Sequence, residues 1–159
     1  MNWLNFGIVA YVTTVLQTAL VPVLLPESFQ PNLFIVVAVY YLLTAQDERV
    51  LLAALVLGAL ADLSSLAPLG SQTVAFAVVA WFVRAIKPIL FAELATAHAF
   101  AAAISFLAML MVYRLIAAVA PGGVPTGLGV FQVALQAAAT ALAAALVRQF
   151  LGRRLKPGR

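Results

Sequence analysis

Long stretches of this chain contain no charged residue, and this absence constrains the fold more than any motif does. The first acidic residue is Glu27, and no acid or base occurs between Arg114 and Arg148. Of the 159 residues, 65% are hydrophobic and 9% are charged, whereas about a quarter of the residues in soluble domains are charged. Such a chain cannot cover a surface that faces water. The composition therefore predicts an all-α integral membrane protein.

The apolar stretches divide the chain into six predicted membrane-spanning helices. A bilayer core needs roughly 20 apolar residues per helix, so a chain of 159 residues has room for about six spans and no soluble domain. The predicted spans cover about residues 3–25, 31–45, 50–66, 70–86, 95–120 and 130–151, and residues 152–159 form a basic tail. We expect a single membrane domain over residues 1–159, in which Pro31 belongs to the first turn of the second span.

The lysine and arginine residues indicate how these spans are oriented. With six alternating spans, the cations of the loops and the tail all fall on one side: Arg49, Arg84, Lys87, Arg148, Arg153, Arg154, Lys156 and Arg159. Short loops rich in cations stay in the cytoplasm, so both termini are predicted to be cytoplasmic. The net charge of +4 is then a signal of topology and not of nucleic-acid binding. The tail is a candidate for binding anionic lipid or a cytoplasmic partner.

The polar residues within the spans are predicted to lie in the outer half of the membrane. They are Gln17, Asp62, Arg114, Gln132 and Gln136. Intramembrane charges usually face a partner or a wet cavity, and Asp62 and Arg114 have opposite signs at similar predicted depth. Two readings of Arg114 follow, an ion pair with Asp62 or an extended side chain that reaches the interface. The one-sided distribution predicts an outer recess for a partner or a lipid, with Asp62 fixing its wall.

The sequence lacks the residue groups that enzymes and metal sites need. No nucleophile elbow, metal-binding motif or glycine-rich phosphate loop is present, and the chain has no cysteine. His98 stands alone in an apolar stretch, so we expect a histidine at a helix end or an interface, with Glu93 as a neighbour, and no metal site. We predict a non-catalytic protein without a cofactor.

The segment "GALADLSSLAPLG" interrupts this apolar sequence with an acid, two serines, a proline and glycines. Ala54, Gly58 and Asp62 recur every four residues, a spacing of small residues that lets helix backbones approach closely. Asp62 and the serines supply hydrogen-bonding groups for the backbone where the helix ends, since lipid supplies none. The segment therefore predicts a tight hairpin between the third and fourth spans.

On these residues the chain resembles the MreD family, small bacterial membrane proteins of rod-shape determination, over essentially its whole length. The specific part is Gly58 and Asp62 followed by the turn of Pro68, Leu69 and Gly70. The start of the second span, with Pro31 and Leu33, is also similar to the family pattern, and Asn32 stands there in place of the commoner Asp.

The resemblance implies a non-catalytic scaffold or regulator of the cell-elongation complex in the bacterial inner membrane. Its implied partners are MreC, the glycosyltransferase RodA, a class B penicillin-binding transpeptidase and the MreB filament, acting in peptidoglycan synthesis. The family fold is similar to the substrate-binding subunits of energy-coupling-factor transporters. That similarity gives the alternative, a vitamin-type binding subunit, which would copurify with a ligand and an ATPase module. An autonomous channel fits poorly, because no span has a polar stripe from end to end.

The predicted orientation can be tested by labelling single cysteines, since the chain has none of its own. Asp47→Cys and Gly158→Cys are expected to react with a thiol reagent only from the cytoplasmic side, and Val124→Cys only from outside. Labelling of Gly158→Cys from outside would overturn the orientation, and with it the outer placement of the polar residues.

Overall fold

Six helices, each of 12 or more residues, make up most of the part of this chain that the structure describes. The computed structural model describes residues 3–45, 49–65, 69–88, 94–119 and 130–154. The helices are α1 (Trp3–Leu24), α2 (Leu33–Thr44), α3 (Val50–Leu63), α4 (Ser71–Ile86), α5 (Ala95–Val119) and α6 (Val130–Arg154). A short 3-10 turn, Glu27–Phe29, lies between α1 and α2. The described parts of the chain contain no strand, and the prediction of an all-α fold is confirmed.

The six helices differ in length, and the three between α1 and α5 are the shortest, as in the predicted spans. In the described ranges, α1, α5 and α6 are long and apolar enough to cross a membrane. The other three have 12, 14 and 16 residues, which corresponds to about 18, 21 and 24 Å, less than the roughly 30 Å of a bilayer core. α2 begins at Leu33 and not at Pro31, because Asn32 is its N-cap, and α3 ends at Leu63.

The shortest helix, α2, forms the centre of the bundle. It is in contact with each of the other five helices, and most of its side chains are buried, with Ile35 and Val39 fully inaccessible. The surrounding helices expose large apolar side chains on their outer sides, for example Tyr11 and Trp81. A surface of this kind is stable in lipid and not in water.

α3 and α4 approach each other closely at Gly58. A Cβ atom built at Gly58 would lie 2.8 Å from the Thr73 Cα and 3.0 Å from the Phe76 Cβ. Glycine is therefore required at this point so that the two backbones can touch. Ala54, one turn away, is also buried, as expected of a packing face of small residues.

α1 contains a wider π-helical turn at Leu16–Leu20, where the Val21 N–H donates to the Leu16 carbonyl. The next residue, Pro22, has no N–H and cannot continue the regular helical pattern, which accounts for the local change in winding. Gln17 lies in this wider turn and is half-buried.

Gly58→Ala is expected to destabilise the protein by about 1–3 kcal/mol, because the added methyl group meets the α4 backbone and overpacks the contact. Gly7→Ala is the matched control, since a Cβ at Gly7 meets nothing within 4 Å. The control should be neutral or gain up to about 1 kcal/mol from its higher helix propensity. Thermal unfolding in detergent measures both, and equal effects would contradict the close contact.

Candidate functional site

Polar side chains from three helices meet at the N-terminus of α2. The Asn32 Oδ1 accepts a hydrogen bond from the Ile35 N–H at 3.1 Å, as an N-cap does. The Asn32 N–H donates to the Thr140 Oγ1 at 3.1 Å, and the Leu33 N–H donates to the Gln17 Oε1 at 2.7 Å. Three backbone donors at the start of α2 therefore have side-chain acceptors, two of which come from α1 and α6.

The same groups tie the α1–α2 connection to α6. The Thr140 hydroxyl donates to the Gln136 carbonyl at 2.8 Å, and the Gln136 Nε2 donates to the Glu27 carbonyl at 2.8 Å. The Asn32 Nδ2 also points to the Met109 Sδ of α5, at 3.7 Å. Gln17, Asn32, Gln136 and Thr140 together form what we call the α2 cap cluster.

The α2 cap cluster lies deep in the bundle. Thr140 is ten residues after Val130, the first residue of α6, and Met109 is ten residues before Val119, the last of α5. At 1.5 Å per residue, α2 begins about 15 Å below the ends of both long helices. Lipid offers no hydrogen-bond partner at such a depth. This explains why side chains of neighbouring helices are bonded there.

Lys87 holds the opposite end of α2. Its Nζ donates to the Leu42 carbonyl at 3.0 Å and to the Ala45 carbonyl at 2.6 Å. A cation at a helix C-terminus also interacts favourably with the helix dipole. Partial burial lowers the pKa of the Lys87 ammonium, and the charge of Arg84 adds to this effect.

Asp62 performs the corresponding role for α4. Its Oδ1 accepts from the Gln72 N–H at 2.8 Å, and its Oδ2 accepts from the Thr73 N–H at 2.9 Å and the Thr73 hydroxyl at 2.6 Å. These backbone donors are the second and third of α4, the ones that an N-cap side chain normally satisfies. The N-cap of α4 is Gly70, which has φ +91° and no side chain. The carboxylate of α3 therefore replaces the missing cap.

The polar residues selected from the sequence are divided between these places. Gln17, Asn32 and Gln136 belong to the α2 cap cluster, and Asp62 binds α4 with Gly58 and Gly70 nearby in the hairpin. Arg114 is exposed on α5, and Gln132 is half-buried on α6. The pairing of Asp62 with Arg114 stays a prediction, but both carboxylate oxygens already accept hydrogen bonds from α4. Of the remaining motif residues, Pro31 is buried, Leu33 is half-buried and Leu69 is exposed. Pro68 lies outside the described residues.

Sequence reasoning missed Thr140 and the role of Lys87. Thr140 stands four residues after Gln136 and so on the same helix face, a signal that could have connected the two. Lys87 was interpreted only as a topology cation. His98 lies in the first turn of α5, where its Nδ1 is 3.2 Å from the Leu94 carbonyl, and it is buried, with its ring 6.0 Å from that of Tyr40. Its expected neighbour Glu93 lies outside the part of the chain that the structure describes.

A comparison with protein families identifies the chain. The family model described as rod shape-determining protein MreD matches residues 1–151. The chain belongs to the MreD family. Neither the comparison with curated proteins nor the one with solved structures found a match. The likeness to energy-coupling-factor subunits therefore stays a prediction.

Membership in the MreD family implies a role in rod-shape determination, and the long apolar helices fit a membrane protein. The matched range includes both segments on which the resemblance rests, the start of α2 and the α3–α4 hairpin. In this MreD-family protein the residues of both segments cap helices that are too short to reach across a bilayer core.

Thr140→Val is expected to lower the free energy of unfolding by about 1–3 kcal/mol, because the N–H of the half-buried Asn32 loses its acceptor, the buried Thr140 hydroxyl. Thr18→Val is the control: the Thr18 hydroxyl donates to its own helix at 2.8 Å, as the Thr140 hydroxyl does, but Thr18 is exposed. Thermal unfolding of both variants in the same detergent gives the comparison. A loss of equal size in the two variants would remove the bond to Asn32 from the account.

Proposed function

We propose that this chain is a non-catalytic, multi-pass component of the cell-elongation machinery in the bacterial inner membrane, and that it binds MreC. RodA, a class B penicillin-binding transpeptidase and MreB complete the proposed complex, which supports peptidoglycan synthesis. The observation that carries the proposal is the family match over residues 1–151.

The use of the polar side chains supports a structural role. Asp62, Asn32, Thr140 and Lys87 all bond to backbone groups at helix ends. A side chain that holds a helix end in place is constrained by that bond, whereas a general acid or base must reach a substrate. The polar groups described here therefore favour a scaffold, whose shape is its function.

The outer half of the bundle is the proposed contact region for MreC. Because α2 begins about 15 Å below the ends of α5 and α6, the central helix does not fill the outer half between them. The outer ends of α5 and α6 also expose large apolar side chains, among them Leu115 and Phe131. An apolar segment of a membrane partner can bury such side chains.

Copurification with MreC tests both the partner and its position. The tagged full chain is coexpressed with MreC, and the proteins retained in detergent are identified by mass spectrometry. Phe131→Ala is expected to reduce retained MreC several-fold, whereas Phe150→Ala is expected to leave it unchanged. The two phenylalanines lie toward opposite ends of α6 and are 77% and 72% exposed, so the pair is matched in size and exposure.

Three outcomes would count against the proposal. Absence of MreC from the purified wild type would refute the partner. Equal loss in both phenylalanine variants would refute the outer position alone. Copurification of a small molecule with an ATPase module would instead support the transporter-subunit alternative.

A further inference from the structure

A groove lies on the exposed surface of α3 and α4. Its volume is about 520 Å³, within the range of roughly 300–1,000 Å³ typical of small-molecule sites. Leu51 and Leu55 of α3 form one wall, and Trp81 forms the other together with three alanines of α4. Trp81 is 72% exposed. Neither the α2 cap cluster nor the proposed MreC contact uses this surface.

The polar lining of this apolar groove comes from Arg84. Arg84 is exposed in the last turn of α4. It lies at the same end of the hairpin as Arg49, the N-cap residue of α3, and its charge reaches Lys87. Arg84 is the charged residue in the lining of the groove, and Lys87 donates to the carbonyls of α2.

We infer that this groove binds a single anionic phospholipid. The acyl chain lies along the leucines and Trp81, and the phosphate is held by the Arg84 guanidinium. Apolar walls match a hydrocarbon chain, and basic pockets between membrane helices recognise anionic headgroups. A guanidinium also donates more than one hydrogen bond to a phosphate. The combination of an apolar groove with an arginine in its lining thus defines a class of ligand.

Trp81 provides a direct reporter of the occupant. The chain has two tryptophans, Trp3 and Trp81, so Trp3→Phe leaves Trp81 as the sole fluorophore of this kind. The full chain is placed in bilayers of phosphatidylcholine and phosphatidylglycerol in which one lipid carries brominated acyl chains, which quench tryptophan on contact. At equal mole fraction, brominated phosphatidylglycerol is expected to quench Trp81 with a relative association constant about fivefold higher. That factor corresponds to about 1 kcal/mol for one cation near an anionic headgroup.

Substitutions separate the two parts of the site. Arg84→Gln is expected to abolish the preference for phosphatidylglycerol, and Arg84→Lys is expected to keep most of it. Arg114→Gln, which changes an exposed arginine on α5, is expected to leave the preference intact.

Ala77→Phe fills the groove and should reduce quenching by either lipid. Val78→Phe, the neighbouring exposed position that does not line the groove, should not. The helical circular dichroism spectrum shows whether each variant is folded. If Arg84→Gln does not fold, Arg84→Lys still tests the role of the cation.

Equal quenching by the two lipids would overturn the inference. So would a preference that survives in Arg84→Gln, since the anion would then be held elsewhere. Weak quenching by both lipids in the wild type would show that another part of a protein covers the groove, which also contradicts a lipid occupant.

Discussion

Hydrogen bonds to the backbone at both ends of α2 hold the centre of this bundle. α2 begins where α5 and α6 are in mid-course, at a depth where lipid cannot satisfy its first N–H groups. Gln17, Asn32 and Thr140 accept these N–H groups, and Lys87 donates to the carbonyls at the other end. All five helices around α2 pack on an element whose position depends on these bonds and on its apolar side chains. One of them, α5, also contributes Met109 beside Asn32.

The α3–α4 hairpin solves the same problem with different residues. Gly58 lets the two backbones touch, and that contact brings the Asp62 carboxylate within reach of the first turn of α4. Gly70 provides the left-handed turn that starts α4 but no cap, so the acid from α3 completes it. Gly58, Asp62 and Gly70 thus act together: the first permits the helix contact, and the second caps the helix that starts after the third. Short helices with fixed ends give the bundle a defined shape.

The sequence predicted the class of fold and some of these positions. The absence of charge over long stretches was sufficient to predict an all-α membrane protein. The four-residue spacing of small residues identified the helix face that contains Gly58. Helix ends were less predictable: α2 begins at Leu33 and not at Pro31, because Asn32 caps it, and α3 ends at Leu63, three residues before its predicted end. The partners of Thr140 and Lys87 are 108 and 45 residues away along the chain. No local pattern encodes contacts over such separations, so a threonine in an apolar helix and a lysine after a span looked unremarkable.

Amide hydrogen exchange at the start of α2 tests the central claim most directly. Backbone N–H groups in the first turn of a helix normally lack an intrahelical acceptor and exchange readily when they meet water. In this protein the amides of Asn32 and Leu33, followed by NMR in detergent micelles, are predicted to exchange as slowly as that of Val36 in the middle of the core. Exchange of Asn32 and Leu33 at the rate of an exposed loop would contradict the account, because it would show that side chains of α1 and α6 do not hold the end of α2.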